Sequence, residues 1–220
     1  MKKQLLMGSI AVAVMAGASV PAFADGGLSA SAGAASQYLW RGQTLNSGGE
    51  IFGDLNYSVA GFYGDAWITS GSFDEYDLSL GYKVDLSGVG LDVGVVNYNY
   101  SGTNSTDTTG QASEGYLKLS AVGATLSYYH DIASRDEGES VAALDGGSYY
   151  SLSYTLKQFT ALVGHYDYQT DGTDYTHVDL TYAYNDSLSF TASKVVDPAD
   201  TGANSNQSTK LVVSYNFPIK

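Results

Sequence analysis

Tyr150-Ser151-Leu152-Ser153-Tyr154-Thr155-Leu156 sets a large apolar side chain at every even position and a small hydroxyl side chain between each pair. Successive side chains of a β-strand point to opposite faces, so this stretch reads as a strand with one apolar and one hydrophilic face. The same template fits Tyr76, Leu78, Leu80, Tyr82 and Val84 against Asp77, Ser79, Gly81 and Lys83. It also fits Val178, Leu180, Tyr182 and Tyr184 against His177, Asp179, Thr181 and Ala183, and Leu211, Val213, Tyr215 and Phe217 against Lys210, Val212, Ser214 and Asn216.

Carried along the chain, the alternation predicts about twelve strands, near 28–41, 51–60, 62–70, 76–86, 91–100, 114–121, 124–132, 147–156, 159–169, 175–184, 188–196 and 209–217. None of the 3 prolines falls inside these spans, as sheet interiors require. The phase breaks at Val95-Val96, which predicts a bulge or an exchanged face there. Connections alternate between two lengths. They are tight around Gly61, 87–90, Val122-Gly123, Lys157-Gln158 and 185–187, and generally longer and polar over 42–49, 71–75, 101–113, 133–146, 170–174 and 197–208. Transmembrane β-barrels of the bacterial outer membrane have this asymmetry, with short periplasmic turns, longer extracellular loops and an even strand count.

The first residues read as a signal peptide: Lys2 and Lys3 supply charge, 5–14 an apolar run, and Ala22-Phe23-Ala24 a small-x-small cleavage site. We therefore expect a signal peptide over 1–24 and a barrel domain over 25–220. The apolar run is shorter than the roughly 20 residues of a spanning helix, and no other segment approaches that length. A closed barrel is the other structure that satisfies its backbone in lipid. A soluble β-sandwich alternates equally well. The export signal, tyrosines near strand ends (Tyr98, Tyr100, Tyr166, Tyr168, Tyr182, Tyr184), and an aromatic-ended last strand favour the membrane, although Pro218, Ile219 and Lys220 follow Phe217.

The chain has no cysteine, which excludes disulfides and thiolate chemistry. Loss of Lys2 and Lys3 leaves 8 basic and 23 acidic side chains, a formal charge of −15. Nucleic acid is an unsuitable partner for such a surface. An acidic lumen would attract cations.

Tyr38-Leu39-Trp40-Arg41-Gly42, then Gly61-Phe62-Tyr63-Gly64-Asp65-Ala66-Trp67, Glu75-Tyr76-Asp77 and Gly81-Tyr82 form a set that resembles the TorF family of outer-membrane porins. Asn97-Tyr98-Asn99-Tyr100 and Glu114-Gly115-Tyr116 extend it over about the first half of the mature chain. The resemblance implies an exported barrel engaged in transport, with no settled substrate and no catalytic residue.

Strand parity makes Arg41, Asp54, Asp65, Asp77, Lys83, Lys118, His165, Asp167, His177 and Asp179 the expected pore-lining charges, with Tyr38 and Trp40 facing lipid and Tyr116 and Tyr129 narrowing the lumen. Arg41 is expected to face the lumen among inward Asp54 and Asp77, either as a pore-lining charge or as a cation that neutralises lumen carboxylates and holds strands together. His165, Asp167, His177 and Asp179 share one expected face. With the hairpin centred on Gly172, His165 lies opposite Asp179 and Asp167 opposite His177. This set forms either an ion-pair ladder or the rim site of a hydrolase. No GxSxG, HExxH or phosphate loop is present. The acidic loop groups, including Asp136, Glu137, Glu139, Asp145 and Asp171, lack the spacing of a calcium loop. The expected function is a diffusion channel of the Gram-negative outer membrane for small polar solutes or ions, leaning towards cations. It is not an enzyme, uses no cofactor or metal, and has membrane lipids and the barrel-assembly machinery as partners. A rim hydrolase and a non-conducting structural or adhesive barrel are the alternatives. With both termini in the periplasm, cysteines at positions 105 and 139 should react with an impermeant thiol reagent on whole cells; reaction at 87 or 158 instead would reverse the orientation.

Overall fold

A computed structural model describes residues 27–46, 48–70, 74–101, 112–134, 146–169, 172–200 and 206–219. The expected signal peptide, its cleavage site and the loop positions near Ser105, Asp136, Glu137, Glu139, Asp145 and Asp171 lie outside these residues. The strands are β1 (Gly27–Ala35), β2 (Leu39–Trp40), β3 (Gln43–Thr44), β4 (Glu50–Val59), β5 (Phe62–Ser70), β6 (Asp74–Leu86) and β7 (Val89–Ser101). They continue with β8 (Ala112–Ala121), β9 (Ala124–Ser134), β10 (Ser148–Leu156), β11 (Phe159–Asp167), β12 (Tyr175–Ala183), β13 (Leu188–Asp197) and β14 (Lys210–Ile219). Twelve of them form one closed antiparallel barrel, and β2 with β3 forms a separate two-stranded sheet.

β1 closes the wall by pairing with β4 on one side and β14 on the other. Closure removes the sheet edge, and with it the unpaired backbone groups that lipid cannot solvate. The tight turns follow from local chemistry. Ala60-Gly61, Ser87-Gly88 and Val122-Gly123 each have positive φ at both residues and join strands through two-residue loops. That is the type I′ geometry, whose twist matches the flanking strands and which glycine enters without steric cost.

The alternation resolves into two faces as expected for most strands. Leu78, Leu80, Leu152, Tyr154, Leu180, Leu211 and Val213 are exposed on the outside, whereas Asp77, Ser151, Asp179, Thr181 and Ser214 are buried inside. Outward aromatics gather near the short turns, where Phe62 and Tyr82 lie 4.8 Å apart and Phe159 and Tyr182 5.0 Å apart. Tyr128 and Tyr150, 5.1 Å apart, stand on the outer face of β9 and β10 towards the long loops.

Three expectations about the wall need correction. Tyr98, Tyr166 and their neighbours do not join an outer girdle: Tyr98 and Tyr166 are buried in the barrel interior. Tyrosine carries an apolar body and a polar tip, so it suits a wet lumen as well as a membrane rim. Of the two readings of the β7 phase break, the exchanged face holds and the bulge does not: its register with β6 and β8 runs without a shift, and Val96 and Tyr98 face inward. Pro218 lies within β14, opposite Ser31 near the strand end. Finally, His165 pairs with Thr176, and His177 with Gly164. His165 is therefore on the outer face, while His177 is on the inner one. Misassigning β11 by one position exchanged all its side chains between faces. A cysteine pair at 163 and 178, whose parents Val163 and Val178 are direct partners, should crosslink readily, whereas a 165/179 pair should not; the reverse result would contradict this register.

Candidate functional site

After Ala35 the chain leaves the wall. Ser36 still holds β14, donating its N–H to the Val213 carbonyl at 2.9 Å and accepting the Val213 N–H on Oγ at 3.0 Å. Beyond it β2 and β3 form a miniature hairpin, with Leu39 opposite Thr44 and Trp40 opposite Gln43. Its two-residue turn is Arg41-Gly42, with φ of 45° and 79°, the same Xaa-Gly signature as the wall turns. The hairpin lies among the interior side chains: Tyr38, Leu39, Trp40, Arg41 and Gln43 are all buried. This overturns the expectation of lipid-facing Tyr38 and Trp40, which treated the segment as a continuation of β1. Tyr38 packs on Trp67 with ring centroids 5.7 Å apart, and its N–H donates to Asn46 Oδ1 at 2.9 Å.

The hairpin tip is held by charge. Arg41 Nη1 and Nη2 donate to Glu114 Oε1 and Oε2 at 2.7 and 2.6 Å, and both side chains are 0% exposed. This parallel fork is the strong, geometrically specific form of the arginine–carboxylate interaction. Tyr98 donates a further hydrogen bond to Glu114 Oε2 at 2.7 Å. Around the guanidinium carbon stand the rings of Tyr149, Trp40, Tyr129 and Tyr166, at 4.4, 4.5, 4.9 and 5.1 Å. Aromatic faces attract a desolvated cation. Tyr175 completes the grip by donating from its hydroxyl to the Arg41 carbonyl at 2.8 Å.

Beneath the turn, His177 links Asp179 to Tyr149, with Nδ1 3.0 Å from Asp179 Oδ1 and Nε2 2.9 Å from the Tyr149 hydroxyl. A side chain at position 42 would collide with the His177 ring, whose Cγ would lie 2.5 Å from its Cβ. Gly42 is thus required by its backbone angle and by close packing together.

The expected pore-lining residues divide unequally. Arg41, Asp54, Asp65, Asp77, Lys83, Lys118, His177 and Asp179 share the interior, though Arg41 pairs with Glu114 rather than with Asp54 or Asp77. Lys83 and Lys118 are both register partners of Asp92. Lys118 also lies over the Tyr116 and Tyr129 rings, at 4.7 and 5.6 Å, so these two tyrosines narrow the interior as expected. Asn56 donates to Asp65 at 3.2 Å. The carboxyls of Asp54 and Asp65 lie within hydrogen-bonding reach of each other, as do those of Glu75 and Asp77. Among the described residues no donor reaches the buried Asp77 carboxylate. Glu50, Asp54, Asp65, Glu75 and Asp77 therefore make β4, β5 and β6 an acidic wall.

His165 and Asp167 stand apart from this interior. His165 Nδ1 contacts Thr176 Oγ1 at 3.0 Å, and Asp167 is exposed opposite Ser148. The four-residue His/Asp rim site is consequently split between two faces. A serine–histidine contact does occur outside, between Ser148 Oγ and His130 Nδ1 at 2.9 Å, but among the described residues no carboxylate bonds the other His130 nitrogen to orient it. Glu114 and the inserted hairpin were not anticipated. Glu114 shares strand parity with Tyr116 and Lys118, and Arg41-Gly42 repeats the turn signature, so both signals were present in the sequence.

No protein-family model matches the sequence, and no curated protein matches it. Among solved structures the chain is similar to the KdgM porin, with 14% identity, a TM-score of 0.54 and coverage of 87% of this chain and 99% of that one. It is also similar to the KdgM porin in complex with disordered oligogalacturonate, with 10% identity, a TM-score of 0.51 and coverage of 88% and 100%. Outer membrane phospholipase A from Escherichia coli is more distant in shape, with 11% identity, a TM-score of 0.45 and coverage of 89% and 90%. The chain has a porin-type barrel fold.

Removing one partner of a buried ion pair typically costs about 3–5 kcal/mol, because the other charge is stranded. Arg41 sits on a hairpin that is separate from the barrel sheet, so the loss should appear as loosening of the hairpin rather than of the wall. Glu114→Gln should speed amide exchange at Leu45, whose N–H bonds the Tyr38 carbonyl at 2.9 Å, and leave β10 and β11 protected. Equal protection of Leu45 in both proteins would show that the pair does not hold the hairpin.

Proposed function

We propose that this chain is a narrow diffusion channel of a Gram-negative outer membrane, leaning towards cations and serving small polar solutes or ions. The observation that carries the reading is the acidic wall of Glu50, Asp54, Asp65, Glu75 and Asp77 inside a closed barrel. Fixed carboxylates between low-dielectric walls focus negative potential and raise the local concentration of cations. The export signal and the resemblance to TorF-family porins support the same reading, as does the outward apolar face suited to lipid. Oligogalacturonate, which accompanies one KdgM porin structure, is a polyanion, and such a solute would be repelled by this wall. With the hairpin inside the lumen, conduction passes beside it rather than through an open cylinder. Eight-stranded barrels fill with side chains and sixteen-stranded ones leave wide channels, so a twelve-stranded barrel with an inserted hairpin suits small solutes. Hydrolysis at the outer rim is the second reading, favoured by the Ser148–His130 contact alone.

In a planar bilayer under a potassium chloride gradient, the reversal potential should show cations crossing faster than anions. Asp54→Asn with Asp77→Asn should lower the cation-to-anion permeability ratio by about twofold or more. Anion preference, or no conductance from the folded protein, would overturn the proposal.

A further inference from the structure

Apart from Trp40, the groups that surround the Arg41 guanidinium come from a different element than the guanidinium itself. Glu114, Tyr98, Tyr129, Tyr149 and Tyr166 belong to the wall strands β8, β7, β9, β10 and β11, whereas Arg41 and Trp40 belong to the hairpin. The wall thus presents a complete receptor: a buried carboxylate with two parallel acceptor oxygens, oriented by a tyrosine hydroxyl and flanked by three aromatic faces. Its geometry suits a flat cation with paired N–H donors, since ammonium groups do not reproduce the fork. The acidic wall lies beside it, with Asp77 the direct register partner of Tyr98.

We infer that this cage is a guanidinium-binding site, that Arg41 occupies it as an internal ligand, and that guanidinium-bearing solutes entering the lumen compete with Arg41 and release the hairpin. The inference deepens the channel reading and rests on it for the route by which solutes arrive. An internal ligand has a high effective concentration, so external guanidinium binds weakly while Arg41 is in place. Arg41→Ala removes the internal ligand and changes none of the wall residues that form the cage.

The test uses methylguanidinium, the end group of arginine, with calorimetry on the full-length protein in detergent. Arg41→Ala should bind it about tenfold or more tighter than the wild type, and adding Glu114→Gln should remove that binding. Tetramethylammonium, which has the charge but no N–H donor, should show no comparable gain. Equal binding by the single and double variants, or by the wild type and Arg41→Ala, overturns the inference. Should Arg41→Ala not fold, the wild type decides alone: methylguanidinium should raise amide exchange at Leu45 saturably, and tetramethylammonium at equal ionic strength should not. No such rise, or the same rise with both ions, rejects the cage. Conductance separates the two proposals, because binding without current sinks the channel and keeps the site, while current without binding does the reverse.

Discussion

The requirement that every backbone polar group of the sheet find a partner governs this molecule. β1 meets it by joining β4 and β14, and the rest follows from that closure. A closed wall with apolar residues outside must turn its alternate residues inward, so polar groups and charges share one confined space. Their density there is a consequence of strand periodicity combined with an outward apolar face. The interior must then supply its own partners for those groups.

It does so unevenly. On the side of β8 to β12, tyrosines, His177 and Glu114 are knitted together by hydrogen bonds and aromatic contacts around Arg41. On the side of β4 to β6, carboxylates lie close to one another and Asp77 has no donor among the described residues. Dense packing and unbalanced charge thereby occupy neighbouring arcs of one wall, meeting where Asp77 of β6 pairs with Tyr98 of β7. The hairpin stands between them, with Tyr38 on Trp67 of β5 and Arg41 on Glu114 of β8.

Strand existence and most strand ends were legible because alternation is a strong signal in outward-apolar strands. β5, expected at 62–70, spans Phe62–Ser70. Which face is outward was less legible where both faces carry amphipathic residues. On β11, Phe159, Ala161 and Val163 run outward and continue into His165 and Asp167, while Gly164 and Tyr166 run inward. Reading the tyrosines as a rim girdle reversed that strand and created the supposed His/Asp ladder. The hairpin failed for a different reason: Tyr38, Trp40 and Gln43 belong to a short excursion, and periodicity cannot reveal that a chain has left the sheet. Arg41-Gly42 could have, since it repeats the turn chemistry of Ala60-Gly61 and Ser87-Gly88. Glu114 was recoverable by parity, but no pattern in sequence connects it to Arg41 across 73 positions.

The manner of holding the hairpin matters as much as its position. Apolar side chains of similar volume could fill the same space, and replacement of a buried ion pair by packed hydrophobic groups is often neutral or stabilising. An apolar plug would, however, be indifferent to the ions around it. A guanidinium seated on a carboxylate is chemically equivalent to a solute that carries the same group, so its occupancy depends on what else is in the lumen. The bidentate fork and the three wall tyrosines also set a shape requirement that small inorganic cations do not meet. On the proposed channel reading, the acidic wall would then collect cations by charge alone, while the cage would distinguish among them by donor geometry. These are two separable levels of selection built from adjacent strands of one barrel.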